Sequence, residues 1–309
     1  MDLRQLNALV AVAEHRSFSA AARALHTVQS NVSTHVARLE RELGVTLIDR
    51  TTGELTDEGR AVVQRATRIQ RELEALVADV AAVHDEIAGV ARIGVIGTTA
   101  RWLVPPFLEA MDNRYPRVHV VVVDATTTSL LPQVHSGHLD LAVVALPVHD
   151  PDLESEHLFE EDLLVIAPDD HPLAEHERVT LAQLAEHELL LEPPGTAFRD
   201  DVDAQARLAG VTLQPKAEVD GMRLVASLAF EGFGAALLPA SAAPRWLTGG
   251  WNVVGVDGLT GRTVGLVRRR RGMPSAPARA LVDVIRSVVA EEAEHQPGIR
   301  TSLPSRDPA

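Results

Sequence analysis

MDLRQLNALVAVAEHRSFSAAARALHTVQSNVSTHVARLERELGVTLIDR, residues 1–50, is the stretch on which the reading of this chain turns. From 3 to 15 apolar side chains recur at Leu6, Leu9, Val10, Val12 and Ala13, one face of a helix. Ser17 then stands where an N-cap is needed, because its hydroxyl can accept an orphan backbone N–H. Ala20, Ala21 and Ala22 make the second helix, 18–25, thin enough for close approach by another. After a short break at 26–28, Val32, Val36, Leu39 and Leu43 stripe a third helix over 28–42, and Gly44 suits a left-handed cap. The polar face of that helix offers Gln29, Ser30, Ser33, Thr34 and His35, groups able to hydrogen-bond base edges in a major groove. Arg38, Arg41 and, past the helix, Arg50 could meet phosphates. The pattern fits a helix-turn-helix. It fits equally a three-helix module used for protein contacts.

The rest of the composition narrows the classes. A chain of 309 residues is long enough for roughly two domains. Its 46% hydrophobic and 23% charged residues exclude a mostly disordered or collagen-like chain. No apolar run approaches the roughly 20 residues of a membrane helix. The first residues lack a basic segment followed by an apolar one, so no secretory signal and no membrane partner are expected, and a cytoplasmic location is. The absence of cysteine excludes disulfides, thiolate metal sites and a cysteine nucleophile. The net charge of -14 argues against a broadly basic DNA-binding face. Residues 1–57, however, carry six arginines against seven acids, close to neutral. DNA affinity there has to come from placed arginines and helix ends. Lys216 is the only lysine, so the arginine preference reads as codon bias more than as a binding signal.

From 62 to 87 there is neither proline nor glycine. Val62, Ala66, Ile69, Leu73, Leu76, Val80, Val83 and Ile87 alternate spacings of four and three, a coiled-coil register. A helix packed on its own domain would show a broader stripe, so the narrow one favours a partner helix. Ile69, Leu73, Leu76 and Val80 are its central seam. At 1.5 Å per residue the segment spans about 39 Å, enough to set the separation of two paired heads.

Ser17-Phe18, Ala21-Ala22, Leu25-His26, Gln29, Ser33, Leu39-Glu40 and Leu43-Gly44, leading into Leu47-Ile48-Asp49-Arg50 and closing with Leu55-Thr56-Asp57-Glu58-Gly59, resemble the N-terminus of the LysR-type transcriptional regulators. The resemblance implies an N-terminal all-α winged helix-turn-helix at 1–58 and a linker coiled-coil helix at 59–88. It also implies a homodimer on double-stranded DNA with an interrupted inverted repeat, and dimers that pair into a homotetramer. This chain departs from the family at Val28, Ser30 and Thr34, where Ser, Pro and Arg are common. Its wing is shortened to Thr51-Thr52-Gly53-Glu54 and carries an acid.

After Gly89 the pattern becomes alternating strand and helix: strands near 91–96, 118–123 and 140–145, then 162–167, 189–191, 217–219, 235–238 and 252–256. A return strand at 264–268 and a last helix at 278–292 follow. RIGVIGTTARWLVPPFLEAM, LDLAVVALP, HPLA and ASLAFEGFGAALLPA resemble the effector domain of the same family. That implies a C-terminal α/β two-lobed periplasmic-binding-protein-like domain at 89–296, with lobe I at 90–163 and 266–296 and lobe II at 164–265. Residues 297–309 read as a disordered tail. Ligands bind beyond the carboxyl ends of strands in open α/β sheets, where helix N-termini favour anions. Thr98, Thr99, Thr128 and Ser129 stand at two such ends, and Thr196, Phe198 and Arg199 lie across the cleft. Together they predict a pocket for a small-molecule effector, most simply a carboxylate, with no cofactor. The competing reading is capping threonines and a salt-bridged arginine.

Other motifs carry less. His135, His138 and Asp140 form the best local metal cluster, but scattered histidines without cysteine read as surface groups, and no metal is expected. Arg268 to Arg271 could touch nucleic acid or simply form a solvated turn. A solute-binding protein with a helical dimerisation head would leave the polar third helix unexplained. An α/β enzyme would need a nucleophile–base pair or cofactor motif, and none is present. The expectation is therefore a DNA-binding regulator, not an enzyme, controlled from the inter-lobe cleft.

Overall fold

The computed structural model describes residues 1–49, 51–84 and 86–303. Helix α1 (Leu3–His15) opens with a capping box, in which Asp2 accepts the Gln5 N–H and the Gln5 side chain accepts the Asp2 N–H. Ser17 caps α2 (Phe18–Ala24). Helix α3 (Gln29–Leu43) buries Val32, Val36 and Leu39 and ends at Gly44 with φ 72°. These stripes meet Leu6, Leu9, Ala21, Leu47 and Ile48 in one small core. The wing is a minimal hairpin closed by an Ile48–Leu55 bridge. Asp49 accepts the Thr51 and Thr52 N–H groups across its turn. Glu40 of α3 accepts the N–H groups of Leu47 and Ile48, which fixes the wing to the third helix.

Helix α4 (Asp57–Ala82) has 26 residues. It starts earlier than the heptad reading because Thr56 caps it by accepting the Gly59 N–H, and it ends at Ala82, so Ile87 lies beyond it. Val62 and Val63 pack on the head core and Ala66 is buried there. The first positions of the heptad are thus spent inside the chain. Further along, Ile69, Leu73, Leu76 and Val80 are exposed, together with Val77 and Val83.

The remaining elements build two six-stranded sheets. They are β1 (Gly89–Val95), α5 (Gly97–Arg114), β2 (Val118–Asp124), α6 (Thr127–Ser136), β3 (Leu141–Ala145), β4 (Leu153–Glu161) and β5 (Leu163–Pro168). Then come β6 (Arg178–Thr180), α7 (Leu181–Leu184), β7 (Glu188–Leu191), α8 (Ala197–Leu208), β8 (Gln214–Glu218), α9 (Met222–Phe230) and β9 (Ala236–Pro239). The last are β10 (Trp251–Asp257), β11 (Arg262–Arg269), α10 (Ala276–Ala293) and β12 (Ile299–Arg300). Lobe I has the order β12-β4-β11-β3-β1-β2 and lobe II β6-β10-β5-β9-β7-β8. The lobe I core centres on Trp102, Phe107 and Phe159, with the Trp102 and Phe159 rings edge-on at 5.1 Å. Two connections join the lobes, at Asp162 and at 258–261.

Three expectations change. The second crossover lies before residue 262, not at 265, because Gly265 sits within β11, between Val144 of β3 and His157 of β4. The tail is not disordered from 297. Ile299 is buried and pairs with Glu161, while Arg300 makes a two-pronged ion pair with Asp162 at 2.9 and 2.8 Å. Residues 304–309 of that tail lie outside the described residues. Strand β4 was not expected, because its alternating charges (Glu154, Glu156, Glu160) masked its inward face.

Gly59 is the tightest point of the head. A Cβ there would come to 2.0 Å from the Leu47 carbonyl oxygen. Gly59→Ala should therefore destabilise the head by about 1–3 kcal/mol. Calorimetry should show the head's unfolding transition lowered while that of the α/β lobes stays in place.

Candidate nucleic-acid interface and ligand cleft

The exposed face of α3 is narrower than the sequence implied. Gln29, Ser30, Thr34 and Arg38 are exposed. Ser19 donates to the Gln29 side-chain oxygen at 3.2 Å, which orients that amide and leaves its NH2 free to donate outward. Thr34 spends its proton on the Ser30 carbonyl at 2.8 Å, so it can only accept from a base. Ser33 is half-buried. His35 is half-buried with an unpartnered Nδ1 and turns toward α1. The Gln5 N–H chiefly, and His35 more weakly, hold the nearby Asp2 carboxyl below its ordinary range. His35 is thus better placed to pack the head than to read a base. Asn31, exposed and hydrogen-bonded to Thr27 at 3.0 Å, was not singled out and belongs to the same surface. Arg50 lies outside the described residues.

In the α/β domain the predicted cleft residues separate into three groups. Thr98 and Thr99 sit in the first turn of α5, both buried. The Thr98 hydroxyl accepts from Arg262 at 2.8 Å, and the Thr99 hydroxyl has no partner among the described residues. Thr126, Thr128 and Ser129 form an exposed hydroxyl cluster at the start of α6, linked at 3.0 Å. Across the cleft Thr196 caps α8 by accepting the Arg199 N–H and donates to the Pro193 carbonyl. Phe198 and Arg199 do not face the cleft. Phe198 packs on the lobe II core. Arg199 is 7% exposed and fully engaged, with Asp203 at 2.9 Å, the Glu192 carbonyl at 2.7 Å and Glu218 at 3.2 Å. The salt-bridged reading of Arg199 is the correct one, since a guanidinium buried in lobe II has to be paired.

The arginine that joins Thr98 to the inter-lobe crossovers is Arg262, which the sequence did not single out. Its Nε donates to Glu161 at 2.7 Å, and the other Glu161 oxygen accepts the Ser241 N–H at 2.9 Å. Glu192 stands nearby on lobe II. Burial pushes its carboxyl above the ordinary range, while Thr196, the Met222 N–H and Arg262 pull the other way. Ser241 and Trp102, like Thr99, bury polar atoms without partners. At the outer lip Arg223 of α9 pairs with Asp124 of β2, and Arg101 lies over the Phe230 ring at 5.2 Å. The metal cluster is also rearranged. His138 bonds Ser136 at 2.8 Å and Asp140 accepts the Arg92 N–H, while His135 faces Asp150 and Asp152.

Residues 3–60 match the family described as bacterial regulatory helix-turn-helix protein, lysR family, and 84–290 match the LysR substrate binding domain. This chain is a LysR-type transcriptional regulator. The regulator is 34% identical over 302 residues to a probable hydrogen peroxide-inducible genes activator of Streptomyces viridosporus, covering 94% of this chain and 95% of that one. It is 32% identical over 284 residues to the DNA-binding transcriptional dual regulator OxyR of Escherichia coli K12, covering 91% and 92%. Full-length CbnR complexed with its target DNA superposes with a TM-score of 0.70 at 25% identity, over 93% of this chain and 100% of that one. A full-length Pseudomonas aeruginosa OxyR carrying a cysteine-to-aspartate substitution shares the fold, with a TM-score of 0.75 at 24% identity over 98% and 99%. No helix among the described residues is long and apolar enough to cross a membrane.

No local signal in the regulator's sequence marks Arg262 or Glu161. Both sit at strand ends beside the crossovers, and only the folded topology brings residues 101 positions apart into one pair. Breaking a buried pair strands a charge, at a cost of about 3–5 kcal/mol. Arg262→Met should destabilise the two-lobed domain by that order in urea unfolding, and adding Glu161→Leu should recover part of the loss. Additive losses in the double variant would show the two residues act separately.

Proposed function

We propose that this regulator binds double-stranded DNA as a dimer across an interrupted inverted repeat and is switched by reversible binding of a small polar molecule in the inter-lobe cleft. The observation that carries the effector reading is the Thr99 hydroxyl, wholly buried in the first turn of α5 and without a partner. A buried polar group is ordinarily paired, and the exceptions call for a function or a guest. It stands beside a polar chain, Thr98 to Arg262 to Glu161, that joins α5 to the crossovers.

The nature of the effector follows from which charges are already spent. Arg199 and Arg262 are both paired with carboxylates, and Glu192 adds an acid to the floor. The predicted carboxylate has thus lost its cation. Hydroxyls at the starts of α5 and α6 remain, and Arg101 at the outer lip has no carboxylate partner among the described residues, which suits a small polar molecule. Relatives are named as hydrogen peroxide-inducible activators. A chain without cysteine cannot register an oxidant on a thiol, and a response by binding fits the unpartnered Thr99 hydroxyl.

The dimer rests on the bare seam of α4, where Leu76 is 59% exposed and its neighbours Ile69, Leu73 and Val80 are likewise uncovered. Pairing of two such helices would bury this stripe and hold two heads on successive half-sites. Higher assembly to a tetramer, a cytoplasmic location and the absence of catalysis belong to the same reading, since the partner is DNA and the family is one of transcriptional regulators.

Three experiments test it. Leu76→Glu puts an unpaired charge in the seam and should yield monomers in sedimentation and no binding to the inverted repeat. Gln29→Ala should leave the dimer intact and weaken specific DNA binding by about 1–3 kcal/mol, the worth of one hydrogen-bonded base, with random DNA bound as before. Equal weakening on both DNAs would remove Gln29 from base reading. For the cleft, gel shifts on the DNA next to its own gene with a panel of small polar metabolites should find one that changes the complex. Thr99→Val should abolish that change while apo DNA affinity stays near wild type. A normal response in Thr99→Val would place the effector elsewhere.

A further inference from the structure

The arginine run at 268–271 is used by neither the DNA face nor the cleft. It closes β11 and the turn beyond it, on the side of lobe I that meets α4. With Arg71 of α4 and Arg92 of β1, its four guanidinium groups line a cavity of about 180 Å³ between the linker helix and lobe I. Four carboxylates, Glu72, Glu74, Asp140 and Glu154, share the lining, so two positive charges go uncompensated.

The existing bonds show which groups are free. Arg71 and Arg92 share Glu74, at 2.8 and 3.2 Å. Arg268 pairs with Glu154. Arg269 donates to the Val134 and Leu139 carbonyls and Arg270 to those of Pro151 and Leu153. Arg271 has no hydrogen-bond or ion-pair partner among the described residues, and the Arg71 Nε is buried without an acceptor. Burial pushes the Arg269 guanidinium down and the Asp140 carboxyl up. Charge on the inner wall at Arg269 and Asp140 is therefore poorly solvated, while Arg270 and Arg271 stand exposed at the mouth, and the deficit is of negative charge. Ala75, Ala78, Leu141, Met273 and Val282 supply an apolar part of the wall.

We propose that this cavity is a second ligand site, which takes a compact organic anion with an apolar body and a carboxylate or phosphate head. The head is received by Arg271 and the Arg71 Nε, and the body lies on Ala78, Leu141 and Val282. Guanidinium groups favour such heads because their planar forks match the oxyanion geometry. The site spans two bodies, the linker helix and lobe I. A ligand there biases their mutual orientation by its differential affinity for the available arrangements. This does not rest on the cleft reading, because no cleft residue lines the cavity.

The test is calorimetric titration of the full-length protein with phenyl phosphate and with phenylacetate, at constant ionic strength and with sodium chloride as control. At least one probe should bind saturably, one per chain, and the pair of probes separates a phosphate from a carboxylate head. Arg271→Ala should weaken that binding at least tenfold and Arg271→Lys by only a few-fold. Arg71→Lys keeps the charge opposite Glu74, lacks the Nε, and should weaken binding several-fold. Thr99→Val should bind the probe as wild type does. Saturable binding by neither probe, or equal binding by wild type and Arg271→Ala, overturns the proposal. Binding lost in Thr99→Val but kept in Arg271→Ala puts the probe in the cleft and also overturns it. Loss of DNA affinity in Arg271→Ala with unchanged probe binding gives the run to the phosphate backbone instead.

Discussion

The Glu161 carboxylate has no solvent exposure, and the geometry of the two-lobed domain is organised around it. Glu161 ends β4, one residue before the first crossover, and Arg262 begins β11, directly after the second. Their ion pair therefore fastens together the two strands by which the lobes are joined. The same carboxylate accepts the Ser241 N–H from lobe II, and the same guanidinium reaches Thr98 at the start of α5 in lobe I. Taking two charges out of water is costly, and their attraction offsets the cost only when the remaining hydrogen-bonding capacity is filled. Both oxygens of Glu161 are engaged, so that condition is met. What the pair supplies is registry. It fixes where the crossovers meet the first turn of α5, and so where the unpartnered Thr99 hydroxyl lies.

A different economy governs the head and linker. The heptad pattern is continuous in sequence but divided in use. Its opening positions, Val62 and Ala66, complete the core of the head, which is too small to close without them. Ala78, farther along and off the seam, packs toward Gly89 and Pro277 of the α/β domain. Ile69, Leu73, Leu76 and Val80 continue the same stripe and are left bare, with Val77 and Val83 exposed as well. One helix thus serves the head core and a free seam at successive positions of one face, and the lobe I surface with the opposite face, because 3.6 residues per turn rotate Ala78 away from the heptad stripe.

This division explains what could and could not be read from the chain. The helices of the head, their caps at Ser17 and Gly44 and the alternation of strands and helices rest on local periodicity, and each was legible. The extent of α4 was not, because a heptad shows which residues are apolar without showing what covers them. Strand β4 was hidden by glutamates that turn out to bind arginines on neighbouring elements, Arg268 to Glu154 and Arg286 to Glu156. Arg199 was misread for the opposite reason. An arginine beside a helix N-terminus looks available in sequence, and the carboxylates that occupy it, Asp203 and Glu218, come from α8 itself and from β8. Thr98 and Thr99 fall in the first turn of a helix after a strand, as their sequence context indicates, because a strand-to-helix turn is a local event. Arg262 was missed because its role exists only through a contact between distant segments.

The joint between α4 and the α/β domain limits how an effector could act. Asp79 of α4 accepts the Ala276 N–H at 2.8 Å and meets Arg279, both at the start of α10, while Glu74 holds Arg92 of β1. All these partners belong to lobe I. Within one chain, then, these contacts tie the linker helix to lobe I and not to lobe II, so a movement of lobe II would not by itself re-aim α4. A change in the spacing of two heads has to arise where a displaced lobe II meets another copy, or at the α4–lobe I joint itself. The first route depends on assembly and needs no strain inside the chain. The second requires the ionic contacts around Glu74 and Asp79 to have more than one arrangement. That joint is built from charged side chains around a cavity instead of close-packed apolar ones, and close packing is what makes an interface hardest to deform. The part of the molecule best able to yield is therefore the part that connects the sensor to the DNA-reading head.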